Sequence, residues 1–415
     1  MPVPNPILVI GAGIAGLTTA RLLTNANIPV ILFELSTPTR TQGYAISLRD
    51  WGFNDLLSSL GSLPLSALAK GIAPDRHIGG TGYIDLALLN NHTGEIIVKP
   101  PPEPKPSIIR ANRNALRSWI EDRGDEELDI RYGHRLVSFE GRVGNIVASF
   151  ENGASYTGSL VIAADGVHST VREILLPHIR PEILPVVVFH GDLELPRDQY
   201  DKLIRPYAGP SNILAGVGDG FNTPLTICNI TSSSVHLDWS YSRLSTGDSD
   251  TLFNENITSE ETKIIPSALL EEIASRELIE PWSHFLNEEA MKTHHVYNWL
   301  MRSVFAERGD VDSCLAKGVV FVGDSWHAMP IFGGEGGNHA IVDGIELVGT
   351  LLAGGELTEE LESAIGKYYD GAWRRCQDAV RRSKQRFYQL HRPMSEWIDI
   401  KEKAEMRMKQ LEQQK

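Results

Sequence analysis

Short apolar runs, each followed by a glycine turn or a helical stretch, predict a parallel sheet covered by helices. Ile7–Ile10 is apolar throughout, residues 11–16 form a glycine-rich turn, and a helical stretch continues to Leu23. A second apolar run at residues 30–33 ends at Glu34. Continuous apolar runs are typical of strands that are buried on both faces. The N-terminal region therefore predicts a strand, a turn, a helix and a second strand.

The glycine spacing of this turn predicts a dinucleotide site. Gly11 permits the tight turn, Gly13 lets a pyrophosphate reach the helix N-terminus, and Gly16 allows the helix to pack closely on the strand. Glu34, at the tip of the second strand, is positioned to accept hydrogen bonds from adenosine ribose hydroxyls. This pattern does not separate NAD from FAD, because both contain the same AMP half.

A second glycine-rich region, at residues 319–338, predicts contact with a flat ligand. The apolar run 319–322 predicts a buried strand, Asp324 supplies one carboxylate, and a helix is predicted from about Asn338 to Leu352. Four glycines between residues 333 and 337 let the backbone approach a ligand that any Cβ would meet. The helix N-terminus then directs free N–H groups and partial positive charge at it. We expect a planar, electron-accepting ligand here.

Two further groups of polar residues follow strand or helix signals. Asp165 and Gly166 come directly after the apolar run 160–164, and a carboxylate at the end of such a strand faces the ligand crevice of a doubly wound sheet. The alternative for Asp165 is a helix N-cap. Arg113 and Arg117 lie four residues apart on one predicted helical face. They would contact a phosphate or a flavin edge, or else form a solvated basic face.

Residues 181–294 change to strand-like alternation, at residues 185–195 and 233–241, and carry no further glycine fingerprint. A β-hairpin excursion is predicted at 73–104, with a strand at 83–88 and a proline-rich connector at 100–104. We interpret both stretches as a substrate-binding region. Its candidate lining residues are His190, Tyr207, Asn212 and His236. Strand alternation places His236 opposite the face of Val235, Leu237 and Trp239.

Composition and charge narrow the class of protein. The net charge of −14 argues against nucleic-acid binding, which needs clustered Lys and Arg. Three cysteines without a CxxC pair exclude a disulfide framework and a thiolate zinc site, and the histidines show no metal-ligand spacing, so no metal is expected. With no signal-peptide pattern or membrane-length apolar run, we expect a cytoplasmic protein. A helical segment is predicted at 357–414 with a break at Pro393. Its basic part, from Trp373 onward, should pack on the acidic body, with a membrane-surface or partner helix as the alternative.

Three motifs in order resemble one family. Residues 11–16 (GAGIAG), 164–172 (ADGVHSTVR) and 323–338 (GDSWHAMPIFGGEGGN) together resemble the class A FAD-dependent monooxygenases typified by p-hydroxybenzoate hydroxylase. The spacing of the motifs and the stretch 113–172 are most similar to the tetracycline-inactivating members. The resemblance implies an α/β fold in which a Rossmann-type FAD-binding domain accompanies a β-sheet substrate domain and C-terminal helices. The implied boundaries are 1–72, 105–180 and 295–372 for the FAD-binding domain, 73–104 and 181–294 for the substrate domain, and 373–415 for the helical segment.

The resemblance also assigns roles to matching residues. FAD would be held by Gly11, Gly13, Ala15, Gly16, Glu34, Arg113, Arg117, Asp165, Gly166, Asp324, Pro330, Gly336, Gly337 and Asn338. The flavin-adjacent loop, where the reaction takes place, would contain Pro330, Gly333, Gly336 and Gly337. Two positions depart from the family pattern. Ser325-Trp326 stands where Ala-Ala or Ala-Cys is common, and Ile331 replaces the second proline of a Pro-Pro pair.

The implied activity is an NAD(P)H-dependent monooxygenation. NADPH or NADH would reduce FAD, O2 would add to give a C4a-hydroperoxide, and an electron-rich aromatic or polyketide-like small molecule would be hydroxylated. The alternatives on this scaffold are epoxidation, Baeyer–Villiger insertion, oxidative cyclisation and ene reduction. The enzyme would act as a monomer or a homodimer, in secondary metabolism or xenobiotic modification.

Overall fold

A computed structural model describes residues 5–38, 44–100, 105–353 and 359–413. The strands are β1 (Ile7–Ile10), β2 (Val30–Glu34), β3 (Ala45–Arg49), β4 (Leu88–Asn90), β5 (Ile96–Val98), β6 (Ile108–Asn112), β7 (Ile130–Tyr132), β8 (Leu136–Arg142), β9 (Asn145–Phe150), β10 (Ser155–Gly158), β11 (Leu160–Ala163), β12 (Glu182–Ile183), β13 (Val186–Pro196), β14 (Ile213–Val217), β15 (Phe221–Asn222), β16 (Leu225–Ile230), β17 (Ser234–Leu244), β18 (His295–Asn298), β19 (Arg302–Ser303) and β20 (Val319–Phe321).

The helices are α1 (Ile14–Asn25), α2 (Asp50–Ser59), α3 (Leu65–Ile72), α4 (Arg113–Glu121), α5 (Thr170–Leu175), α6 (Arg197–Leu203), α7 (Arg205–Ala208), α8 (Ser267–Ala274), α9 (Trp282–Phe285), α10 (Glu288–Met291), α11 (Arg308–Leu315), α12 (Asp324–His327), α13 (Gly336–Ala353), α14 (Glu359–Leu390) and α15 (Met394–Gln413). Among the described residues, no helix combines the length and the apolar character of a membrane span.

The chain forms two compact units. The first contains the described parts of Met1–Ile72, Arg113–Glu182 and Arg302–Lys384. The second contains those of Ala73–Asn112, Ile183–Met301 and Gln385–Lys415.

The first unit is built on a parallel five-stranded sheet in the order β20-β11-β1-β2-β7. Strand β1 pairs in parallel with β2 on one side and β11 on the other. All four residues of β1 and of β11 are buried, as their continuous apolar runs predict. This arrangement brings the carboxyl ends of β1, β11 and β20 to the same edge of the sheet, where ligands bind in doubly wound folds.

A small antiparallel sheet, β10-β9-β8, belongs to the same unit. An antiparallel arrangement of this stretch agrees with the alternation and turn signals in its sequence. The strand just before it behaves differently, because β7 joins the main sheet in parallel with β2.

The second unit contains an eight-stranded sheet, with β18-β13-β17-β15-β14-β4-β5 in order and β16 paired with β14 and β17. Strands β13 and β17 pair antiparallel along their whole length, from Val186 opposite Leu244 to Pro196 opposite Ser234. One face of this sheet is apolar, and its central side chains Val235, Leu237 and Trp239 are buried in the core of the unit. Alternation places His236 on the opposite face, as the sequence predicts.

The C-terminal segment is helical with a break at Pro393, as the sequence predicts. Within the first unit, the hydroxyl of Tyr369 in α14 accepts the backbone N–H of Phe321 at 2.8 Å. Within the second unit, Trp397 of α15 packs on Ile97 and Val217, and Lys401 forms an ion pair with Glu95. These helices therefore contribute to the cores of the units.

The strand predicted at residues 83–88 is wrong for most of its length, because only Leu88 belongs to a strand. Side chains and single backbone bonds take the place of a ladder here. Ser211 Oγ accepts the N–H of Asp85 at 2.8 Å, and the carbonyl of Tyr83 accepts the N–H of Asn212 at 2.9 Å. Of the predicted proline-rich connector, residues 101–104 lie outside the described residues, as do residues 357, 358 and 414 of the predicted helical segment.

Candidate cofactor-binding site

The glycine turn between β1 and α1 leaves no room for side chains. Gly11 has φ +104°, and a Cβ added there would lie 2.5 Å from the carbonyl oxygen of Ala164. A Cβ on Gly16 would lie 1.9 Å from the carbonyl oxygen of Gly11. Gly13 is the N-cap of α1 and provides no side-chain cap, so the N-terminus of α1 is open to an anion. The roles predicted for these glycines agree with this geometry.

The three motifs meet in the first unit. The first approaches the second where Gly11 lies against Ala164, and the third where Gly323 lies against Ala15. A Cβ on Gly323 would stand 3.0 Å from Cβ of Ala15. Strand β20, which leads into the third motif, pairs in parallel with β11, which leads into the second. The sheet therefore assembles segments from distant parts of the chain into one edge.

A cleft opens beside the first motif and holds charged groups of both signs. Its lining residues are Ala12, Gly13, Glu34, Ser36, Thr37, Pro38, Arg113, Arg117 and Tyr132. Glu34 is fixed at the tip of β2, because Oε2 accepts the N–H of Ala12 at 2.9 Å and Oε1 accepts the N–H of Ser36 at 2.8 Å. Its remaining lone pairs can receive hydroxyl groups of a ligand.

The two arginines of α4 have different surroundings in this cleft. Arg117 donates from Nε to the carbonyl of Ala12 at 3.1 Å, so it supports the glycine turn itself. Arg113 lies with its guanidinium 5.3 Å from the ring centroid of Tyr44. Both side chains line the cleft, so α4 supplies positive charge where a dinucleotide would carry phosphates.

Asp165 caps a helix, which the sequence offered as the alternative to a ligand contact. Its Oδ2 accepts the N–H of Val171 at 3.1 Å, which caps α5 together with Ser169. Its Oδ1 is buried without a hydrogen-bond partner among the described residues. Burial raises the pKa of this carboxyl group. Because buried polar atoms are normally satisfied, Oδ1 is available to a ligand group in the crevice.

Asp324 begins α12 directly after Gly323, whose φ of 63° and ψ of −146° suit glycine. Asp324 is exposed to solvent, and the protein atoms beside it desolvate its carboxyl group enough to raise the pKa. A Cβ on Gly336 would lie 3.8 Å from Asp324 Oδ1, so the carboxylate borders the N-terminus of α13.

Hydrogen bonds of Asn338 and Arg49 hold the glycine-rich loop before α13 in place. Asn338 is fully buried, accepts the N–H of Arg49 at 2.7 Å on Oδ1, and donates from Nδ2 to the carbonyl of Ser47 at 3.0 Å. Arg49 in turn donates from Nη2 to the carbonyl of Gly333 at 3.2 Å. The side chain of Asn338 thus supports the loop, while Gly333, Gly336 and Gly337 remain partly accessible on it.

The unusual Trp326 of the third motif is fully buried. It packs 5.9 Å from Phe305 and 5.6 Å from Tyr369, measured between ring centroids. Tyr369 belongs to α14, so a large ring in place of alanine increases the contact of this motif with the C-terminal helix. The other departure, Ile331, is 44% exposed beside the loop.

Sequence reasoning missed a buried ionic network behind Asp324. Asp343 lies next to His327, Arg375 and Cys376, and its Oδ2 stands 2.6 Å from His327 Nε2. Its signal in the sequence is the pair of carboxylates, Asp343 and Glu346, inside the apolar stretch of α13. A cluster of histidine, carboxylate and thiol can hold a metal, but Asp343 is already paired with two basic side chains here. The cluster is therefore an ion-pair network.

The residues predicted to line a substrate site separate into two groups within the second unit. His190 and His236 lie on the polar face of the sheet on either side of Asp238, with their Nε2 atoms 3.6 Å and 3.9 Å from its carboxylate. Asp238 also accepts the Cys228 thiol at 2.8 Å. Burial opposes ionisation of Asp238, but hydrogen bonding and charge from His190 lower its pKa overall.

The other two predicted residues are elsewhere. Asn212 is buried and donates from Nδ2 to Asp75 and to the carbonyl of Tyr83, both at 2.9 Å, so it holds a loop. Tyr207 is 43% exposed and donates to Glu280 at 2.6 Å.

Asp238, which sequence reasoning did not single out, is the residue that brings the two histidines together. It alternates with Leu237 and Trp239 along β17, and this polar position between apolar neighbours was its signal.

These features fit FAD. The open N-terminus of α1 and the two arginines suit a pyrophosphate, and Glu34 suits a ribose. The unsatisfied Oδ1 of Asp165 and the exposed carboxylate of Asp324 supply polar partners, and the glycine loop admits a flat ring without side-chain collisions.

Comparisons with known proteins agree with this site. A family model described as an FAD binding domain matches residues 5–180. The FAD-dependent monooxygenase aptC of Emericella nidulans is 67% identical over 413 residues, covering 97% of this chain and 99% of that protein. The FAD-dependent monooxygenase adaC of Aspergillus niger is 64% identical over 404 residues, covering 97% of each chain.

Solved structures share the fold at low sequence identity. Klebsiella pneumoniae HpxO, complexed with FAD and uric acid, has a TM-score of 0.71 at 16% identity and covers 96% of this chain and 93% of its own. The tetracycline destructase Tet(55) has a TM-score of 0.62 at 19% identity, covering 89% of this chain and 85% of its own. With its fold, its three motifs and relatives above 60% identity, this chain belongs to the family of FAD-dependent monooxygenases.

Proposed function

We propose that this protein uses NADPH or NADH, FAD and O2 to hydroxylate an electron-rich aromatic or polyketide-like small molecule. Membership of the FAD-dependent monooxygenase family supports the reaction class. The observation that carries the proposal is the convergence of the three motifs on one sheet edge, with the Asp324 carboxylate beside a glycine-rich helix N-terminus. A role in secondary metabolism or in xenobiotic modification is consistent with a substrate of this kind.

The cofactor roles follow from the charges in the first unit. The N-terminus of α1 and the guanidinium groups of Arg113 and Arg117 would neutralise the pyrophosphate, and Glu34 would receive the adenosine ribose. Asp324 would hydrogen-bond the ribityl chain. The backbone N–H groups that begin α13 at Gly336 would face the edge of the ring where negative charge develops on reduction.

The polar face of the second unit is the proposed substrate side. His190, His236 and Asp238 offer donors and acceptors on one sheet face, and the phenolic hydroxyls of an aromatic polyketide require such partners when they are desolvated. Asp238 has a lowered pKa and is therefore an anion at neutral pH. Its carboxylate would hold His190 in one orientation, with Nδ1 3.0 Å from Ser240 Oγ, and would accept a hydrogen bond from a substrate hydroxyl.

Bound FAD would supply the redox chemistry, taking two electrons from NAD(P)H and activating O2 for insertion into the substrate. The task of this chain is then to bind the ring, to orient the substrate carbon towards it and to exclude water. The buried ionic network around Asp343 and the loop held by Asn338 provide a rigid support for binding the ring.

The experiment that tests the proposal is anaerobic reduction of the purified yellow protein, followed by product analysis. NADPH and NADH are added separately, with and without a panel of phenols and aromatic polyketides, while the flavin absorbance is recorded. Bleaching by a nicotinamide nucleotide, then a product heavier by one oxygen atom on admission of O2, is the expected result.

Two results would contradict it. A protein whose flavin is reduced by a substrate without NAD(P)H would be an oxidase. A product that gains hydrogen and no oxygen would identify a reductase on the same scaffold. Isotopic O2 provides the control, because the label enters the product only in a monooxygenation.

A further inference from the structure

Asp343 is a fully buried carboxylate with partners on both sides of the Asp324 turn. Its Oδ2 accepts the N–H of Gly323 at 2.7 Å and lies 2.6 Å from His327 Nε2. Gly323 immediately precedes Asp324 and His327 ends the same short helix, α12. The Oδ2 atom of Asp343 therefore contacts both the backbone just before Asp324 and the side chain of His327.

The second oxygen of Asp343 links this turn to the C-terminal helix. Arg375 of α14 donates from Nη2 to Asp343 Oδ1 at 2.9 Å and to Glu346 Oε2 at 2.5 Å. Cys376, the next residue, has Sγ 3.8 Å from the same Oδ1. Through Arg375, helix α14 thus fixes the Asp343 carboxylate, and this carboxylate in turn fixes α12.

The charges of these groups are stable in the interior because they compensate one another. Burial opposes ionisation of Asp343, but His327, Arg375 and the N–H of Gly323 together lower its pKa. Burial likewise opposes the charge of His327, and the neighbouring thiol and carboxylate raise its pKa well above its ordinary value. A buried carboxylate between two cations has few alternative positions, which suits a fixed support.

The geometry of the turn makes such a support necessary. Gly323 has a positive φ, and α12 contains only four residues, so internal helix bonds do little to hold Asp324. Asp324 also borders Gly336 at the start of α13, so a small rotation of the turn would move its carboxylate relative to that helix N-terminus. Groups that bind a cofactor require this kind of fixed orientation.

We propose that Asp343 is a positioning residue for the cofactor: together with His327 and Arg375 it fixes the Gly323–Asp324 turn so that the Asp324 carboxylate meets bound FAD. This inference rests on FAD binding and not on the identity of the substrate. A failure of the proposed hydroxylation would therefore leave it intact.

The first test compares Asp343→Asn with Glu346→Gln. Both changes remove a carboxylate that accepts from Arg375, and both lie on α13, but only Asp343 contacts the Gly323–Asp324 turn. Apo protein is titrated with FAD while flavin fluorescence and visible circular dichroism are recorded. For Asp343→Asn we expect the FAD dissociation constant to rise about tenfold or more, with an altered dichroic spectrum of the bound flavin. Glu346→Gln should stay within about twofold of the wild type.

A folded Asp343→Asn protein that binds FAD as the wild type does would overturn the proposal. So would an equal loss in Glu346→Gln, because that would indicate general loosening of α14. Thermal unfolding of the apo proteins separates these cases, since a purely structural role lowers the Tm without changing the affinity and spectrum of the folded fraction.

A second pair of variants decides the matter if Asp343→Asn does not fold. His327→Gln keeps an N–H donor where Nε2 stands, whereas His327→Leu has a similar size and no donor. We expect His327→Leu to weaken FAD binding and His327→Gln to restore most of it. Equal, wild-type affinity in both variants would refute the role of this network in positioning.

Discussion

Arg117 donates a hydrogen bond from Nε to the carbonyl oxygen of Ala12, at 3.1 Å, and so ties α4 to the middle of the glycine turn. We predict that Arg117→Met weakens FAD binding by about tenfold, since it removes both this bond and a positive charge from the cleft. Fluorescence titration of the apo protein measures the change. Arg123→Met is the matched control, because Arg123 contacts Trp119 and lies outside the cleft. Equal affinities in the two variants would exclude this role for Arg117.

Asp324 should be indispensable for stable binding of the flavin. Asp324→Ala removes the carboxylate beside the N-terminus of α13, and we expect the purified protein to lose its flavin on gel filtration. Asp324→Asn keeps the shape and one acceptor, so it should retain part of the flavin. The ratio of flavin absorbance to protein absorbance measures both. Stoichiometric flavin in the alanine variant would remove Asp324 from the cofactor site.

Gly16 and Gly349 are both helical glycines, but only Gly16 is enclosed. A Cβ at Gly16 would meet the carbonyl of Gly11 at 1.9 Å, whereas nothing lies within 4 Å of a Cβ at Gly349. We predict that Gly16→Ala lowers the free energy of unfolding by about 1–3 kcal/mol. Gly349→Ala should be neutral or stabilising by about 0.5–1 kcal/mol, because alanine favours helix. Urea unfolding of the apo proteins measures both, and equal effects would contradict the packing of the glycine turn.

His391 should make the stability of the second unit depend on pH. Burial lowers the pKa of the His391 side chain from 6.5 to about 4, and its Nε2 atom lies 2.8 Å from Ser242 Oγ. Below about pH 6.5, His391 is therefore protonated in the unfolded chain, whereas in the folded chain it stays neutral down to about pH 4. The stabilising contribution is complete above pH 6.5 and is lost as the pH falls to about 4, by up to roughly 3 kcal/mol.

Unfolding in urea between about pH 7.5 and about pH 4 measures this dependence. His391→Gln should flatten the curve in that window, because the side chain no longer titrates. An unchanged slope in His391→Gln would show that another group is responsible.

Variants of Asp238 and Tyr207 should distinguish a proposed substrate contact from a surface residue. With a phenol or polyketide that is oxygenated, Asp238→Asn should lower kcat/KM at least about tenfold and leave the flavin spectrum unchanged, since it leaves His190 without its carboxylate. Tyr207→Phe should change kcat/KM less than about twofold. Equal effects of the two changes would argue against the polar face as the substrate side.

The cofactor half of the molecule was predictable because its signals are local. Gly11, Gly13 and Gly16 follow an apolar strand and precede a helix, and backbone sterics alone favour glycine at those positions. The same applies to the glycines before α13. Asp165 shows the limit of such reasoning, because its role as a helix cap and its free oxygen became evident together only in the folded chain.

The strand predicted at residues 83–88 failed for a related reason. Alternating apolar residues suit a strand, but a strand also needs a neighbour to receive its backbone bonds. Ser211 and Asn212 make single bonds to this segment in place of a ladder. A sequence pattern indicates the conformation that a segment prefers, but it does not reveal which neighbouring residues form hydrogen bonds with its backbone.

The sequence by itself determined the strands of the nucleotide fold and the glycines of both turns, since each depends on neighbouring residues, and the resemblance of three separated motifs indicated FAD. The tertiary structure alone decided that Asp343 and Arg375 support Asp324, and that Asp238 joins His190 to His236. Helix packing makes the first of these relationships and strand pairing makes the second. Hydrogen bonds and burial act over short distances in space, whatever the separation along the chain, and only the folded backbone defines that distance.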